Sequence, residues 1–169
     1  MQPHLAVNEF IQKYARRGIL LDTNILLVYV LGGYDETRIE SFKRTNTFSI
    51  KDYRFLAEFI LHFRQLVVTP QILTEVSNLL AQLREPQKTP CFRSFGDRIQ
   101  SLTEQVHPSS QIALTTTFNS LGMADASIPL AARNGFLVLT DDLQLYRHLA
   151  DLGVDAINFN HIRVLGWSR

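Results

Sequence analysis

The chain has 169 residues, 46% of them hydrophobic, which is long enough for one well-buried domain. Its 17 Lys and Arg residues balance 16 Asp and Glu residues, so the net charge of the whole chain does not attract it to nucleic acid or membranes. Any site for a polyanion must therefore be a local patch of basic residues. The single cysteine, Cys91, excludes an internal disulfide framework, is expected to be a small buried hydrophobe, and indicates a reducing cytoplasm.

We expect a single domain over residues 1–169, with residues 1–16 as an N-terminal extension. The extension carries charges where a signal peptide needs an apolar core, and the later run ILLVYVLGG is too short to span a bilayer. The sequence therefore predicts a cytoplasmic protein without a targeting segment.

One apolar run predicts the first strand and the first helix. GILLD, after the basic ARR, has the length of a short buried strand, and TNILLVYVLGG has helical length and ends on a glycine pair. Residues 32–65 are then expected to form an enlarged helical segment. Within it, RIESFKRTNTF and IKDYRFLAEFILHFRQ are most simply two helices, the second with apolar residues at helical spacing.

The second strand is predicted at LVVT. Pro70 suits the first turn of the helix that follows, and Thr69 is its expected N-cap. Along PQILTEVSNLL the apolar residues cover one arc of about 120°, and Glu75 lies about 40° beyond the edge of that arc. Glu75 is therefore placed to face a cleft beside the core, close to the start of the helix.

The second half of the chain continues the alternation of strands and helices. REPQKTP is an expected exposed loop, residues 92–105 have weak helical periodicity, and a short helix is predicted after HPSS. MADASIPLAARNG predicts a helix, FLVLT a strand, DDLQLYRHLADLG a capped helix and VDAINF a final strand. Strands separated by helices imply right-handed crossovers and a mainly parallel sheet that is covered on both faces.

Polar residues end three of the predicted strands. Asp22 ends the first strand, Thr69 the second, and the sequence TDD at residues 140–142 the third. In open parallel sheets, ligands bind outside the carboxyl ends of the strands, so these endings would face one crevice. Glu75 follows the second strand by about one and a half turns of helix, and Asp125 lies near the start of the helix before the third strand. Four or five carboxylates would then share one site.

Each acid also has a purely structural explanation. Asp22, Asp141 and Asp142 all precede predicted helices, where an N-cap aspartate satisfies unpaired backbone N–H groups. Glu75, taken alone, is typical of a solvated helix residue, and Asp125 is placed to cap the helix that follows it. The single residues therefore leave the choice between cap and ligand open.

The joint placement of the acids favours a metal site. Carboxylates gathered in one crevice repel one another and raise each other's pKa unless cations neutralise them. A set of oxygen ligands without paired Cys or His favours Mg²⁺ or Mn²⁺ over Zn²⁺. Such ions orient water and stabilise charge on a phosphodiester during cleavage, which is the chemistry of two-metal nucleases.

Four motifs in this order resemble the PIN domain family. LLDTNILL is similar to the opening strand of the family with its first acid, and VTPQILTEVSNLL to its second strand and Glu-bearing helix. MADASIPLAA and GFLVLTDDLQL resemble the third and fourth acidic elements. The resemblance covers residues 17–159, and the four motifs are specific in combination although no single one is.

The resemblance implies a three-layer α/β/α sandwich with a central, mainly parallel sheet of four or five strands. It also implies a Mg²⁺- or Mn²⁺-dependent ribonuclease that cuts single-stranded or structured RNA. By position, Asp22, Glu75 and Asp125 take the first three acidic roles, and the Thr-x-Asp form of the motif places Asp142 slightly ahead of Asp141 as the fourth. The residues expected to orient these carboxylates or bind water are Thr23, Asn24 and Thr140.

The resemblance also implies candidate partners. Bacterial relatives are commonly toxins of toxin–antitoxin pairs, so an antitoxin protein is one expected partner beside RNA, and a homodimer is another. Trp167 is expected to pack the C-terminal tail, with a dimer interface as the alternative. Because some relatives are scaffolds, the alternative function is a catalytically inactive PIN-like RNA-binding or assembly module.

Two features depart from the family pattern or extend it. The segment 32–65 is longer than in compact members, and Pro129 must either kink the helix of Asp125 or lie in its first turn. The long segment interleaves aromatic residues, which are more typical of the core, with basic residues that could contact RNA or simply form a solvated face. The basic candidates for RNA contacts are Lys43, Arg44, Lys51 and Arg54.

Two other enzyme or signalling classes fit the sequence less well. Haloacid-dehalogenase-like phosphatases use an Asp-x-Asp motif at the first strand end, whereas Asp22 is followed by Thr23 and Asn24. Receiver domains place their acidic pair near the N-terminus and a Lys after a late strand. Here the acidic pair comes late, and residues 136–159 contain no Lys.

Overall fold

The computed structural model describes residues 3–164 and contains a five-stranded sheet in which all paired strands run parallel. The predicted three-layer α/β/α fold is confirmed. The strand order is β3-β2-β1-β4-β5, so β1 and β4 lie at the centre. The strands are β1 Ile19–Leu21, β2 Leu66–Val68, β3 Thr103–Glu104, β4 Leu137–Thr140 and β5 Ala156–Asn158.

Helices connect every pair of consecutive strands, as a parallel sheet requires. None in the described part of the chain is long and apolar enough to cross a bilayer. Trp167, expected to pack the tail, lies outside the described residues. The α-helices are α1 Pro3–Tyr14, α2 Thr23–Asp35, α3 Ile50–Phe59, α4 Pro70–Leu80, α5 Lys88–Ile99, α6 Ser109–Ile112, α7 Thr116–Ala132, α8 Leu143–Asp151 and α9 Phe159–Ile162, with 3₁₀ turns at Glu36–Arg38 and Ile60–His62.

The packing of the core explains why the run at residues 18–33 is almost entirely apolar. Strand β1 is buried along its whole length, as expected for a central strand with both faces covered. Helix α2 is also buried on nearly every side, because α3, α4 and α5 all pack against it. Gly32 lets α3 approach closely, since a Cβ at that position would overlap the ring of Tyr53. Cys91 is fully buried, as predicted.

The prediction of a helix at RIESFKRTNTF is wrong. After the 3₁₀ turn the chain forms turns and bends as far as Ser49. Short polar side chains compete with helical hydrogen bonds there. Asp35 accepts from both the N–H and the hydroxyl of Thr37, at 3.0 and 2.6 Å, and Thr45 donates to the carbonyl of Ile39 at 2.8 Å. The second predicted helix is present as α3, with a capping box formed by Ser49 and Asp52.

The region between α4 and α7 also differs from the prediction. Helix α5 begins inside REPQKTP, which was expected to be a loop, and β3 had no sequence prediction. Strand β3 is two residues long and is defined by its pairing with β2, where Val67 lies opposite Thr103. A strand this short has no hydrophobic period of its own, so only the tertiary pairing identifies it.

Helix α7 is interrupted at Gly122, which has φ 84° and ψ −174°. This backbone region is essentially restricted to glycine. Pro129 lies in the interior of the second helical part, so the first-turn position, one of the two predicted alternatives, is wrong. Because Pro129 has no N–H, it cannot supply the helical hydrogen bond that the carbonyl of Asp125 would otherwise accept. The break in α7 lies at Gly122 and not at Pro129, three residues before Asp125.

We expect Gly122→Ala to lower the free energy of unfolding by about 1 to 3 kcal/mol, because alanine would be forced into a strained backbone conformation. A Cβ at this position would meet no atom within 4 Å, so steric overlap contributes nothing to the loss. Gly96→Ala is the matched control, since Gly96 is helical and equally open, and its substitution should stabilise by about 0.5 to 1 kcal/mol. Urea unfolding measures both; equal effects would contradict the strain argument.

Candidate functional site

The predicted crevice lies at the point where the strand order of the sheet reverses. From β1 the chain builds β2 and β3 on one side, and β4 and β5 are added on the other side. Asp22 directly follows β1, and Asp141 directly follows β4, its neighbour in the sheet. Such a switch point is where ligands bind in open parallel α/β sheets.

Asp22 is both a helix cap and a residue of the crevice. Its side chain is 3% exposed. Oδ1 accepts the N–H of Ile25 at 2.9 Å, which caps α2, and Oδ2 accepts the N–H of Asp141 at 3.3 Å, which ties it to the end of β4. Burial and the charge of Asp141 raise the pKa of Asp22 well above its usual value, although hydrogen bonds from Thr140 and Ile25 oppose the shift.

Asp141 faces Asp22 and is held by two amides. Asn24, predicted to orient a carboxylate, donates from Nδ2 to Oδ1 of Asp141 at 3.1 Å. Burial raises the pKa of Asp141, and the hydrogen bond from Asn24 opposes this. Asn160 donates to the backbone carbonyl of Asp141 at 2.8 Å. Sequence reasoning missed Asn160, although it lies just beyond β5 and the same search for polar residues after strand ends would have found it.

Asp142 caps α8 and lies on the Asp125 side of the crevice. Its Oδ1 accepts the backbone N–H groups of Gln144 and Leu145 at 2.6 and 2.9 Å. Among nearby charges, that of Asp142 has the largest effect on the pKa of Asp125. The two acids of TDD therefore have different neighbours, and their ranking as fourth ligand stays a prediction.

Glu75 and Thr23 connect α4 to the start of α2. The hydroxyl of Thr23, a predicted supporting residue, donates to Oε2 of Glu75 at 3.0 Å. Glu75 itself is exposed and lines a cavity together with Asp125. The sequence placed Glu75 beside the core stripe and near a cleft, and this is where it lies.

Asp125 lies in the wall of that cavity, shortly after the break at Gly122. Burial raises its pKa to about 6, and the charges of Asp142, Glu75 and Asp141 act in the same direction. All three of the neighbouring charges that act on its pKa are negative, and all three belong to predicted ligands.

A buried pair of hydroxyls fixes α7 against α4. Thr69 and Ser127 are both fully buried, and their oxygens are 2.7 Å apart. Ser127 gives its only proton to the carbonyl of Ala124 at 2.6 Å, so Thr69 must donate to Ser127. Thr69 also accepts the N–H of Ile72 at 3.3 Å as the predicted N-cap of α4. The helices that carry Glu75 and Asp125 are thereby joined at a polar contact.

The donor set fits a hard divalent cation such as Mg²⁺ or Mn²⁺. All five predicted ligands are carboxylates, and those of Asp22, Asp125 and Asp141 have raised pKa values. Within residues 3–164, no three His, Cys, Asp or Glu side chains form a ready-made group around one ion. This spacing is compatible with Mg²⁺, which usually keeps several waters and takes only one or two carboxylates directly.

The predicted RNA-binding cations lie elsewhere. Arg54 pairs with Glu36, with Nε to Oε2 at 3.0 Å, and Arg44 donates to Gln82 at 2.9 Å. Lys43 and Lys51 are exposed. None of these four cations forms an ion pair or hydrogen bond with the five acids within the described part of the chain. Their role in RNA binding stays a prediction.

No protein-family model matches the chain, and no curated protein matches it. The resemblance to a family stays a prediction that rests on the order and content of the four motifs.

In metal-free protein, we expect Asp125→Asn to raise the free energy of unfolding at about pH 8 but to have little effect at about pH 4. A raised folded-state pKa stabilises the fold below the ordinary value of 3.8, and this contribution is lost as pH rises through about 6. Solvent reaches part of the side chain and screens the effect, so the gain at high pH should be about 1 to 2 kcal/mol.

Urea unfolding in EDTA measures the effect of Asp125→Asn. Asp97→Asn is the control, because Asp97 is an exposed acid on α5 and its substitution should change stability little at either pH. A loss of stability in Asp125→Asn at high pH would show that the carboxylate is not repelled by its neighbours.

Proposed function

We propose that the chain is a PIN-like, Mg²⁺- or Mn²⁺-dependent endoribonuclease that hydrolyses RNA phosphodiester bonds. The proposal is carried by one observation: carboxylates from two neighbouring strand ends and two helices lie at the switch point of the sheet, where burial and the charges of neighbouring acids raise the pKa values of Asp22, Asp125 and Asp141. Clustered acids with perturbed pKa values in a cleft are typical of functional sites. The order of the four motifs supports the family, and the family implies the RNA substrate.

The residues have distinct tasks in this proposal. Asp22 and Asp141 would hold the ion from the ends of β1 and β4, and Glu75, Asp125 and Asp142 would reach it through its bound waters. Once bound, a divalent ion supplies a Lewis acid that activates water and neutralises charge on the phosphate. Thr23, Asn24 and Thr140 orient the carboxylates through hydrogen bonds, as outer-shell groups do in metal sites.

The biological setting follows from the resemblance alone. Because bacterial relatives of PIN-like nucleases are commonly toxins, the proposed setting is a toxin–antitoxin pair in which the antitoxin keeps the chain inactive. The second candidate function is a catalytically inactive RNA-binding or assembly module, which is favoured by the fact that Asp22 and Asp142 also serve as helix caps. Metal binding and cleavage separate the two functions.

We expect Mn²⁺ to stabilise the folded protein. Binding to the folded state alone, at about 100 times Kd, adds about 2.7 kcal/mol to the free energy of unfolding. Thermal unfolding with Mn²⁺ and with EDTA measures the change. Asp22→Asn should abolish the stabilisation, whereas the exposed control Asp97→Asn should retain it. Absence of any shift in wild-type protein at millimolar metal would speak against the metal site.

We expect the protein to cleave single-stranded RNA in Mn²⁺ and not in EDTA. Asp22→Asn should lower the rate by more than the roughly 10- to 100-fold that loss of an outer-shell partner costs, and Thr23→Val should fall within that range. Gel analysis of a labelled RNA, with single-stranded DNA in parallel, measures the rates. Cleavage that survives Asp22→Asn would show that another site, or a contaminant, is responsible.

A further inference from the structure

A cavity of about 570 Å³ opens beside Glu75 and Asp125, between the start of α4 and the break in α7. Its volume is in the range of sites that bind small molecules. Two half-buried apolar side chains, Leu121 and Met123, line it together with Gly122. The positive φ of Gly122 turns the chain here, so the wall of the cavity and the position of Asp125 depend on the same backbone break.

The charge of the lining excludes an anionic occupant. Glu75 and Asp125 supply negative charge, and the described residues that line the cavity include no Lys, Arg or His. A phosphate group entering it would be repelled. The other polar groups are hydroxyls and amides, which suit a neutral ligand with hydrogen-bond donors and acceptors. Asn78 and Ser109 are exposed there, and their side chains have no hydrogen-bond partner in the described part of the protein.

Gln71 gives the most specific indication of which ligand groups the cavity would bind. Its side chain lines the cavity, yet Oε1 is buried and has no hydrogen-bond partner among residues 3–164. An unsatisfied buried acceptor is costly and uncommon in a folded protein. The terminal torsion of a glutamine is broad, so a small rotation turns the oxygen toward a donor that enters the cavity. A ligand with an N–H group would thus find an acceptor that the protein itself leaves unused.

We propose that this cavity receives one unpaired nucleobase of the RNA substrate, with adenine preferred over uracil. The carboxamide of Gln71 can pair with the donor and acceptor edge of adenine. Uracil also has an N–H beside a carbonyl, but its two carbonyl oxygens suit a lining rich in acceptors poorly, whereas the amino group of adenine is a donor for the acceptors of Gln71, Glu75 and Asp125. Leu121 and Met123 provide an apolar wall for the base. The inference rests on the proposed nuclease function, which it extends from a substrate class to a base preference.

The position of the cavity beside the acids determines which nucleotide, relative to the cleaved phosphate, its base would belong to. Glu75 and Asp125 belong both to the cavity wall and to the acidic crevice. A base bound in the cavity therefore places its own nucleotide next to the phosphate at the acids. A base in a duplex would first have to leave its stack, at a cost of a few kcal/mol, so the cavity also favours single strands.

The test compares two labelled oligonucleotides, one of uridines only and one with a single central adenosine. We expect wild-type protein in Mn²⁺ to cut beside the adenosine about tenfold faster than in the uridine-only strand. Gln71→Leu should reduce this ratio to near one. Its melting temperature should be unchanged or higher, because the substitution removes an unpaired buried acceptor. Gln100→Leu, an exposed glutamine remote from the cavity lining, should keep the preference.

Binding in EDTA, followed by fluorescence anisotropy of the same oligonucleotides, separates this inference from the nuclease proposal. Tighter binding of the adenosine strand, lost in Gln71→Leu, would support the base site even if neither strand were cut. Cleavage without base preference, or a preference that survives Gln71→Leu, would overturn the base site and leave the nuclease standing. Free adenosine competing as well as the oligonucleotide would identify a mononucleotide site and likewise overturn the proposal.

Discussion

The buried carboxylate of Asp22 is the contact on which the rest of the crevice depends. One oxygen accepts an N–H from the first turn of α2, and the other accepts the N–H of Asp141 at the end of β4. These two bonds join the beginning of the first crossover to the second central strand. Because helix and strand are both fixed to one side chain, Thr23 and Asn24 at the start of α2 are held within reach of Glu75 and Asp141.

The carboxylates of the crevice accept several hydrogen bonds, but within residues 3–164 nearby cations do not balance their negative charges. Both oxygens of Asp22 accept backbone N–H groups, Oδ1 of Asp141 accepts the amide of Asn24, and Oδ1 of Asp142 accepts two backbone N–H groups, so the orientation of these carboxylates is well determined. The same carboxylates repel one another, and burial strengthens the repulsion. This concentration of like charge lowers the stability of the folded protein. A cation would relieve the repulsion without moving the backbone.

Much of the fold was predictable because local rules and tertiary structure agree. The strands around β1, β2, β4 and β5, and the caps at Asp22, Thr69 and Asp142, follow from apolar runs that end in capping residues. Where the local sequence rules and the tertiary structure disagree, the predicted secondary structure was wrong or missing. Side-chain hydrogen bonds from Asp35 and Thr45 replace a helix, and β3 exists only through its pairing with β2.

The candidate site was predictable as a set of acids but not as an arrangement. Spacing along the chain cannot tell which of Asp141 and Asp142 faces Asp22, because the backbone at the end of β4 and the start of α8 decides it. The pairing of Thr69 with Ser127 joins residues 58 positions apart and has no local signal. The cavity beside Gly122 likewise depends on one backbone conformation that sequence pattern does not reveal.

The order of the strands also has a consequence for synthesis of the protein. The hydrogen bond between Asp141 and Asp22 spans 119 positions, and β1 gains its central neighbour only when β4 has been made. A growing chain on the ribosome holds Asp22 and Glu75 long before that pairing can form, whereas Asp125 precedes Asp141 by only 16 positions. The acidic crevice is therefore completed only after β4 and the start of α8 have been synthesised.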